Sequence, residues 1–164
     1  MHNNIKEFCL FVKDTNPEYF KDKNVLDVGS LDINWNNKYL FDDCEYLWID
    51  IIDWPNVDLV CSVEQFKAKF DVVISTEMLE HNKTRDKALS QIYDNAKEMI
   101  IITCATTGRQ EHWTTNTTPK ASPATNDYYK NITKEMFENI YKKDMFRTYF
   151  LSISWTDLLF YWIK

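Results

Sequence analysis

Two acids and a glycine carry the first chemical signal in this chain of 164 residues. Val25-Leu26-Asp27-Val28-Gly29-Ser30 is an apolar run that ends in an acid and a glycine. Tyr46-Leu47-Trp48-Ile49 is a second run, and it ends in Asp50, 21 residues after Gly29. In a parallel α/β sheet, a glycine at the end of the first strand lets backbone approach a ligand, and an acid at the end of the second can hold both ribose hydroxyls. The pattern reads as a site for a nucleoside-bearing cofactor. Asp27-x-Gly29 taken alone reads as a tight turn equally well.

A third group sharpens the first reading. Phe70-Asp71-Val72-Val73-Ile74 runs into Ser75-Thr76-Glu77-Met78-Leu79-Glu80-His81, and Cys61-Ser62-Val63 closes the run before it. These segments lie at the carboxyl ends of consecutive strands, where open α/β sheets bind ligands. A hydroxyl nucleophile needs a base within hydrogen-bond reach, and a histidine near its ordinary pKa suits that task. His81 is the first candidate, beside Glu77. Glu111 and His112 are the second, because a loop over the site can carry them in on closure. Plainer readings stand alongside: Glu80 as a solvated helix-end charge, His81 as a cap on local backbone, His112 as a solvated loop residue. No matching His pair accompanies Glu77, Glu80 and His81 in sequence, so no metal site is expected.

The elements that must position these residues follow from periodicity. Ile5, Phe8, Cys9 and Val12 form an amphipathic helical stripe that Pro17 ends. Strands are expected over 25–28, 45–50, 57–61, 70–75 and 99–102. The solid apolar centres at Val72-Val73-Ile74 and Met99-Ile100-Ile101-Ile102 suit a sheet covered on both faces. Asn82 or Thr84 can cap a helix whose face is Ala88, Leu89, Ile92, Tyr93 and Ala96. Residues 105–131 have no periodicity, and a loop that long in a compact domain is functional or disordered. Thr133 then caps a helix bearing Met136, Phe137, Ile140 and Tyr141, with Glu135 in its first turn and Lys142 and Lys143 in its last suiting the helix dipole. Residues 145–154 and 157–163 close the chain as an antiparallel pair.

Composition bounds the partners. A length of 164 residues fits one domain with a real core. A net charge of −6 argues against a nonspecific grip on nucleic acid. No apolar run approaches the ~20 residues needed to cross a membrane, and the first residues lack the pattern of a secretory signal. Cys9, Cys44, Cys61 and Cys104 are scattered, which suits reduced, mostly buried thiols in a cytoplasmic protein rather than a disulfide framework or zinc site.

With these residues in view, the sequence resembles a class I S-adenosylmethionine-dependent methyltransferase of the type 11 kind. The carriers are Val25 to Ser30, Asp50, and Phe70-Asp71-Val72-Val73-Ile74-Ser75-Thr76-Glu77-Met78-Leu79-Glu80-His81, the last matching the family's fourth-strand segment closely. The resemblance implies one α/β domain over 1–164: a doubly wound, Rossmann-like, seven-stranded, mostly parallel sheet with the last strand antiparallel. Within it fall an N-terminal helix in 1–22, a long loop or lid over 105–131 and a terminal β-hairpin over 145–164. It implies S-adenosylmethionine as cofactor and a small-molecule or glycan-type acceptor. Asp27, Gly29, Ser30 and Leu31 would face its amino-acid part, although the family usually has a further glycine at Leu31. Asp50 would take the ribose hydroxyls with Ile51 beside the adenine, and Ser62 and Val63 would contact the adenine. Ser75 and Thr76 would pass the methionine part, and Glu77 would flank the transfer site. A catalytically weak or inactive partner protein of the same fold is the alternative. A nicotinamide dehydrogenase is disfavoured, since Gly29-Ser30-Leu31-Asp32-Ile33-Asn34 supplies only the first glycine of the Gly-x-Gly-x-x-Gly fingerprint.

The chain holds two glycines and six tryptophans, whereas average usage near 7% would give about eleven or twelve glycines. By similarity to the family, Trp35, Trp48 and Trp113 stand where glycine is usual, and Trp162 is a fourth such position. Two explanations follow: real substitution that adds stacking surface, or a lineage in which the UGA codon specifies glycine.

Overall fold

A computed structural model describes residues 3–33, 36–120, 125–141 and 149–164. The elements run α1 (Asn3–Thr15), β1 (Asn24–Val28), β2 (Glu45–Asp50), β3 (Leu59–Val60), β4 (Phe70–Thr76), α2 (Arg85–Asn95), β5 (Ala96–Ala105), α3 (Lys134–Tyr141), β6 (Tyr149–Ser154) and β7 (Asp157–Ile163). The seven strands form one sheet in the order β3-β2-β1-β4-β5-β7-β6. Every pairing is parallel except β5 with β7 and β6 with β7, so β7 alone runs against the rest. This is the expected doubly wound α/β architecture. The strand order reverses between β1 and β4, and the crevice above that pair is where such sheets receive ligands.

Both faces of the sheet are covered, which explains the solid apolar runs. Side chains alternate along a strand. On β5, Ile100, Ile102 and Cys104 join Ala88, Leu89 and Ile92 of α2 and Phe137 of α3 in one core. Met99 and Ile101 point the other way, into a core with Ile5, Phe8, Cys9 and Val12 of α1. α1 stops at Thr15, just before the one-turn helix that Pro17 begins.

Several expectations need correction. The third strand is two residues long and exposed at the sheet edge, not five, because too little chain separates it from β2 to build a covering helix. Ala96 belongs to β5 rather than to the helical face: α2 runs straight into the strand, and Ala96 pairs with Phe70. Thr84 stands at the start of α2 without capping it, since its hydroxyl donates to Glu64 at 2.6 Å. The Asn82 side chain instead accepts from the Thr84 N–H at 2.7 Å. Cys9 and Cys104 are buried and Cys44 and Cys61 half-buried, all four as free thiols. Lys142, Lys143 and residues 145–148 lie outside the described residues. No helix among the described residues is long and apolar enough to cross a membrane.

Candidate functional site

Two adjoining cavities open at the carboxyl ends of β1, β2 and β4. The larger, about 500 Å³, is lined by Asp27, Gly29, Ser30, Leu31, Asp50, Thr76, Glu77, His81 and His112 among others. The smaller, about 350 Å³, holds Ile51, Ser62 and Val63. Gly29, Asp50, Met78, His81 and Thr125 border both, so the two form one elongated cleft. Of the sequence-predicted residues, Ser75 alone stays out. It is buried, and its hydroxyl donates to the Val28 carbonyl at 2.9 Å, clamping β4 to β1. Position 75 lies within the strand and not at its end, so its side chain serves the sheet.

Gly29 has φ +74°, and a Cβ built there would lie 2.3 Å from Met78 Cγ. Both facts demand glycine, and they leave bare backbone on the cleft floor. Asp27 is 1% exposed and accepts from the Tyr46 hydroxyl at 2.6 Å and Asn37 Nδ2 at 3.2 Å. Burial outweighs those bonds and pushes its pKa up to about 6. Asp50 is likewise pushed up to about 6 by burial, against backbone N–H groups of Ile52, Ile51, Leu31 and Ser30 that favour its charged form. Asn37 also donates to Thr76 Oγ1 at 3.2 Å, tying the loop after β1 to the end of β4. Nothing in the sequence singled out Asn37 or Tyr46. Their role depends on a loop returning 10 residues, and a neighbouring strand 19 residues, later in the chain.

The turn after β4 is strained. Glu77 has φ +58°, a left-handed value that costs a non-glycine residue on the order of 1–3 kcal/mol. Its N–H donates to the Thr103 carbonyl at 2.9 Å, and its carboxylate accepts from Thr103 Oγ1 at 3.1 Å. Burial and the nearby Asp157 raise the Glu77 pKa.

Glu80 is not a solvated helix-end charge. It is 0% exposed, and Oε1 accepts from the Ala105 N–H at 3.2 Å. Burial and Glu77 hold its pKa well above the usual range. His81 Nδ1 lies 3.0 Å from the Tyr128 carbonyl, so its backbone contact is to the distant loop rather than local. Burial lowers its pKa to about 4, which makes it a weaker base than an ordinary histidine.

The described residues of the 105–131 segment, 105–120 and 125–131, make defined contacts at this end of the sheet. Thr106 bridges to Ile132, Asn131 Nδ2 donates to the Arg109 carbonyl at 3.1 Å, and the Arg109 guanidinium meets Asp157 at 3.3 Å. His112 is half-buried, its ring centroid 5.3 Å from that of His81 and 4.7 Å from that of Tyr129. No closing motion is needed to bring it in. One ligating atom each from Glu80, His81 and His112 lies within 4.8 Å of the others. The fold thus supplies the second histidine whose absence from the sequence pattern argued against a metal. Glu111 lines the larger cavity and accepts from Thr114 Oγ1 at 2.6 Å.

The tryptophans divide. Trp113 lines the cavity with φ +58°, the backbone of a glycine position. Trp48 sits in β2 opposite Asp27, its buried Nε1 without a hydrogen-bond partner among the described residues. Trp162 is a packed core residue of β7, stacked on Tyr93 at 5.0 Å. Trp35 lies outside the described residues.

The chain superimposes on many solved structures. A 1,6-didemethyltoxoflavin-N1-methyltransferase from Burkholderia thailandensis, solved with bound 1,6-didemethyltoxoflavin and S-adenosylhomocysteine, matches with a TM-score of 0.66 at 12% identity over 99% of this chain and 78% of that one. The fold is that of the class I methyltransferases. An S-adenosylmethionine-dependent methyltransferase from Archaeoglobus fulgidus shares this methyltransferase fold at TM-score 0.63 and 12% identity, covering 98% of this chain and 94% of the other. The magnesium protoporphyrin IX methyltransferase of Synechocystis PCC 6803, with bound S-adenosylmethionine, gives 0.61 at 10% identity over 100% and 85%. No family model matches the chain, and no curated protein matches it in sequence.

Proposed function

We propose that this chain transfers a methyl group from S-adenosylmethionine to a small-molecule or glycan-type acceptor. The observation that carries the reading is the single cleft into which Asp27 and Asp50 converge from neighbouring strands, across the bare backbone of Gly29. Those residues suit the donor: a carboxylate beside backbone N–H groups for a ribose diol, side-chain-free backbone for close approach, and a second carboxylate for an α-amino group. In this reading Asp50 holds the ribose, Ile51, Ser62 and Val63 the adenine, and Asp27, Gly29, Ser30 and Leu31 the amino-acid part. Thr76 and Glu77 border the methionine chain. The bound donor supplies a methyl group already activated by a sulfonium. The protein's contribution is then alignment, which can be worth on the order of 7–11 kcal/mol. His81 and His112 border the acceptor side of the cleft.

Calorimetry with S-adenosylmethionine, S-adenosylhomocysteine and NAD tests the reading, followed by an acceptor screen with radiolabelled methyl donor. Binding of the first two with label transfer is expected. Binding without transfer to any acceptor favours the inactive partner protein, and binding of NAD alone overturns the proposal.

A further inference from the structure

Glu80, His81 and His112 meet where β4 ends and the 105–131 loop crosses it, and their ligating atoms lie within 4.8 Å of one another. Bonds of about 2.0–2.2 Å to one ion place its ligand atoms about 3–4 Å apart, so side-chain movement under about 1 Å brings all three onto one centre. The outer contacts that orient metal ligands are already made. His81 Nδ1 is 3.0 Å from the Tyr128 carbonyl, and His112 Nδ1 is 3.0 Å from the Gln110 carbonyl. A carbonyl oxygen only accepts, so in each neutral ring the proton sits on Nδ1 and Nε2 keeps its lone pair. Glu80 repeats the arrangement. Its Oε1 accepts from the Ala105 N–H at 3.2 Å, while the buried Oε2 has no hydrogen-bond partner among the described residues. An unpartnered polar atom in a residue that is 0% exposed is costly, and a cation removes that cost.

We propose that Glu80, His81 and His112 bind one divalent first-row transition-metal cation that presents an open coordination position to the acceptor's hydroxyl oxygen. Two imidazoles and a carboxylate suit zinc or iron better than magnesium or calcium, and three protein ligands leave room for an oxygen ligand. His81 and His112 both line the larger cavity, so the cation faces it. The acceptor half of this proposal rests on the methyl-transfer reading above. A hydroxyl bound to the cation releases its proton to solvent more readily than a free one. Its oxygen lone pair forms the O–CH3 bond as the S–CH3 bond breaks, the electron pair of that bond staying on sulfur. The products are a methyl ether, a neutral thioether and one proton, so charge and atoms balance.

The test uses tag-free full-length protein stripped with a chelator and dialysed, titrated by calorimetry with ZnCl2 and separately with MgCl2. One zinc per chain is expected, and His112→Ala is expected to weaken uptake roughly tenfold or more, since even supporting contacts to a ligand are worth that much. Glu80→Gln is the second variant, with circular dichroism establishing that each is folded. No zinc uptake, uptake of magnesium in place of zinc, or uptake unchanged in folded His112→Ala overturns the site. S-adenosylhomocysteine is titrated in the presence of chelator as an independent arm. Its binding without zinc uptake overturns the metal site and leaves the methyltransferase reading standing. Zinc uptake that the variants weaken, with no nucleoside binding, supports the site and overturns that reading.

Discussion

Asp27 is a carboxylate whose burial works against the fold as it ionises. Its pKa is raised to about 6 from an ordinary 3.8, because burial disfavours the carboxylate more than Tyr46 and Asn37 favour it. The native state therefore binds more protons than the unfolded chain between about pH 4 and pH 6. Its contribution is fully present below pH 4 and is lost as pH rises through 6. Asp27→Asn removes that dependence. The variant's stability relative to wild type is expected to grow across this window by up to about 3 kcal/mol, since each pK unit is worth about 1.4. Urea denaturation of both proteins at pH 4, 5, 6 and 7 checks this, and a constant difference would refute it. The same variant is expected to bind S-adenosylhomocysteine more weakly. Asp27, Gly29 and Asp50 were legible in sequence because each terminates an apolar run. Asn37 and His112 were not, because nothing local marks a polar loop residue that will be brought against a strand end.

At the scale of elements, apolar runs predicted strands well where both faces are covered and poorly at the edge. β2 matches its expected limits, and β4 extends its own by one residue. β5 runs 10 residues where its apolar run is only Met99 to Ile102, because pairing with β4 and β7 recruits Ala96 and Thr103 to Ala105. β3 shrank for the opposite reason: with one neighbour and exposed side chains, little rewards its extension. Ile101 tests how much the central strand carries. It is fully buried between Ile74 and Tyr161, facing the α1 side. Ile101→Ala is expected to cost about 2–5 kcal/mol by chemical denaturation. A loss below 1 kcal/mol would mean that the α1 side of the sheet is loosely packed.

For the molecule as a whole, the cleft and the strand ends beneath it are where polar groups are buried without full compensation. Asp27, Asp50 and Glu80 are all buried with raised pKa values, and Asn37 Oδ1 and Glu80 Oε2 lack hydrogen-bond partners among the described residues. Ligands that supply the missing charge or hydrogen bonds stabilise such a protein. S-adenosylhomocysteine at a hundredfold over its Kd is expected to add about 2.7 kcal/mol to unfolding stability, read as a rise in Tm. NAD at the same concentration is expected to add nothing.

The sequence by itself determined the α/β class, the strand that ends at each acid, and the glycine on the cleft floor. Those features are local: a period of two, a solid apolar run, a residue type demanded by one backbone angle. Only the tertiary structure decided which distant side chains meet. His112 joins His81 across 31 residues because a loop folds back over β4. Glu80, for which a solvated position was one of two open readings, is buried with its Oε1 on the Ala105 N–H of β5, and Ser75 turned from the cleft into the sheet because β1 lies beside it. Burial and juxtaposition are properties of the packed chain, and they set the electrostatics from which the chemistry follows.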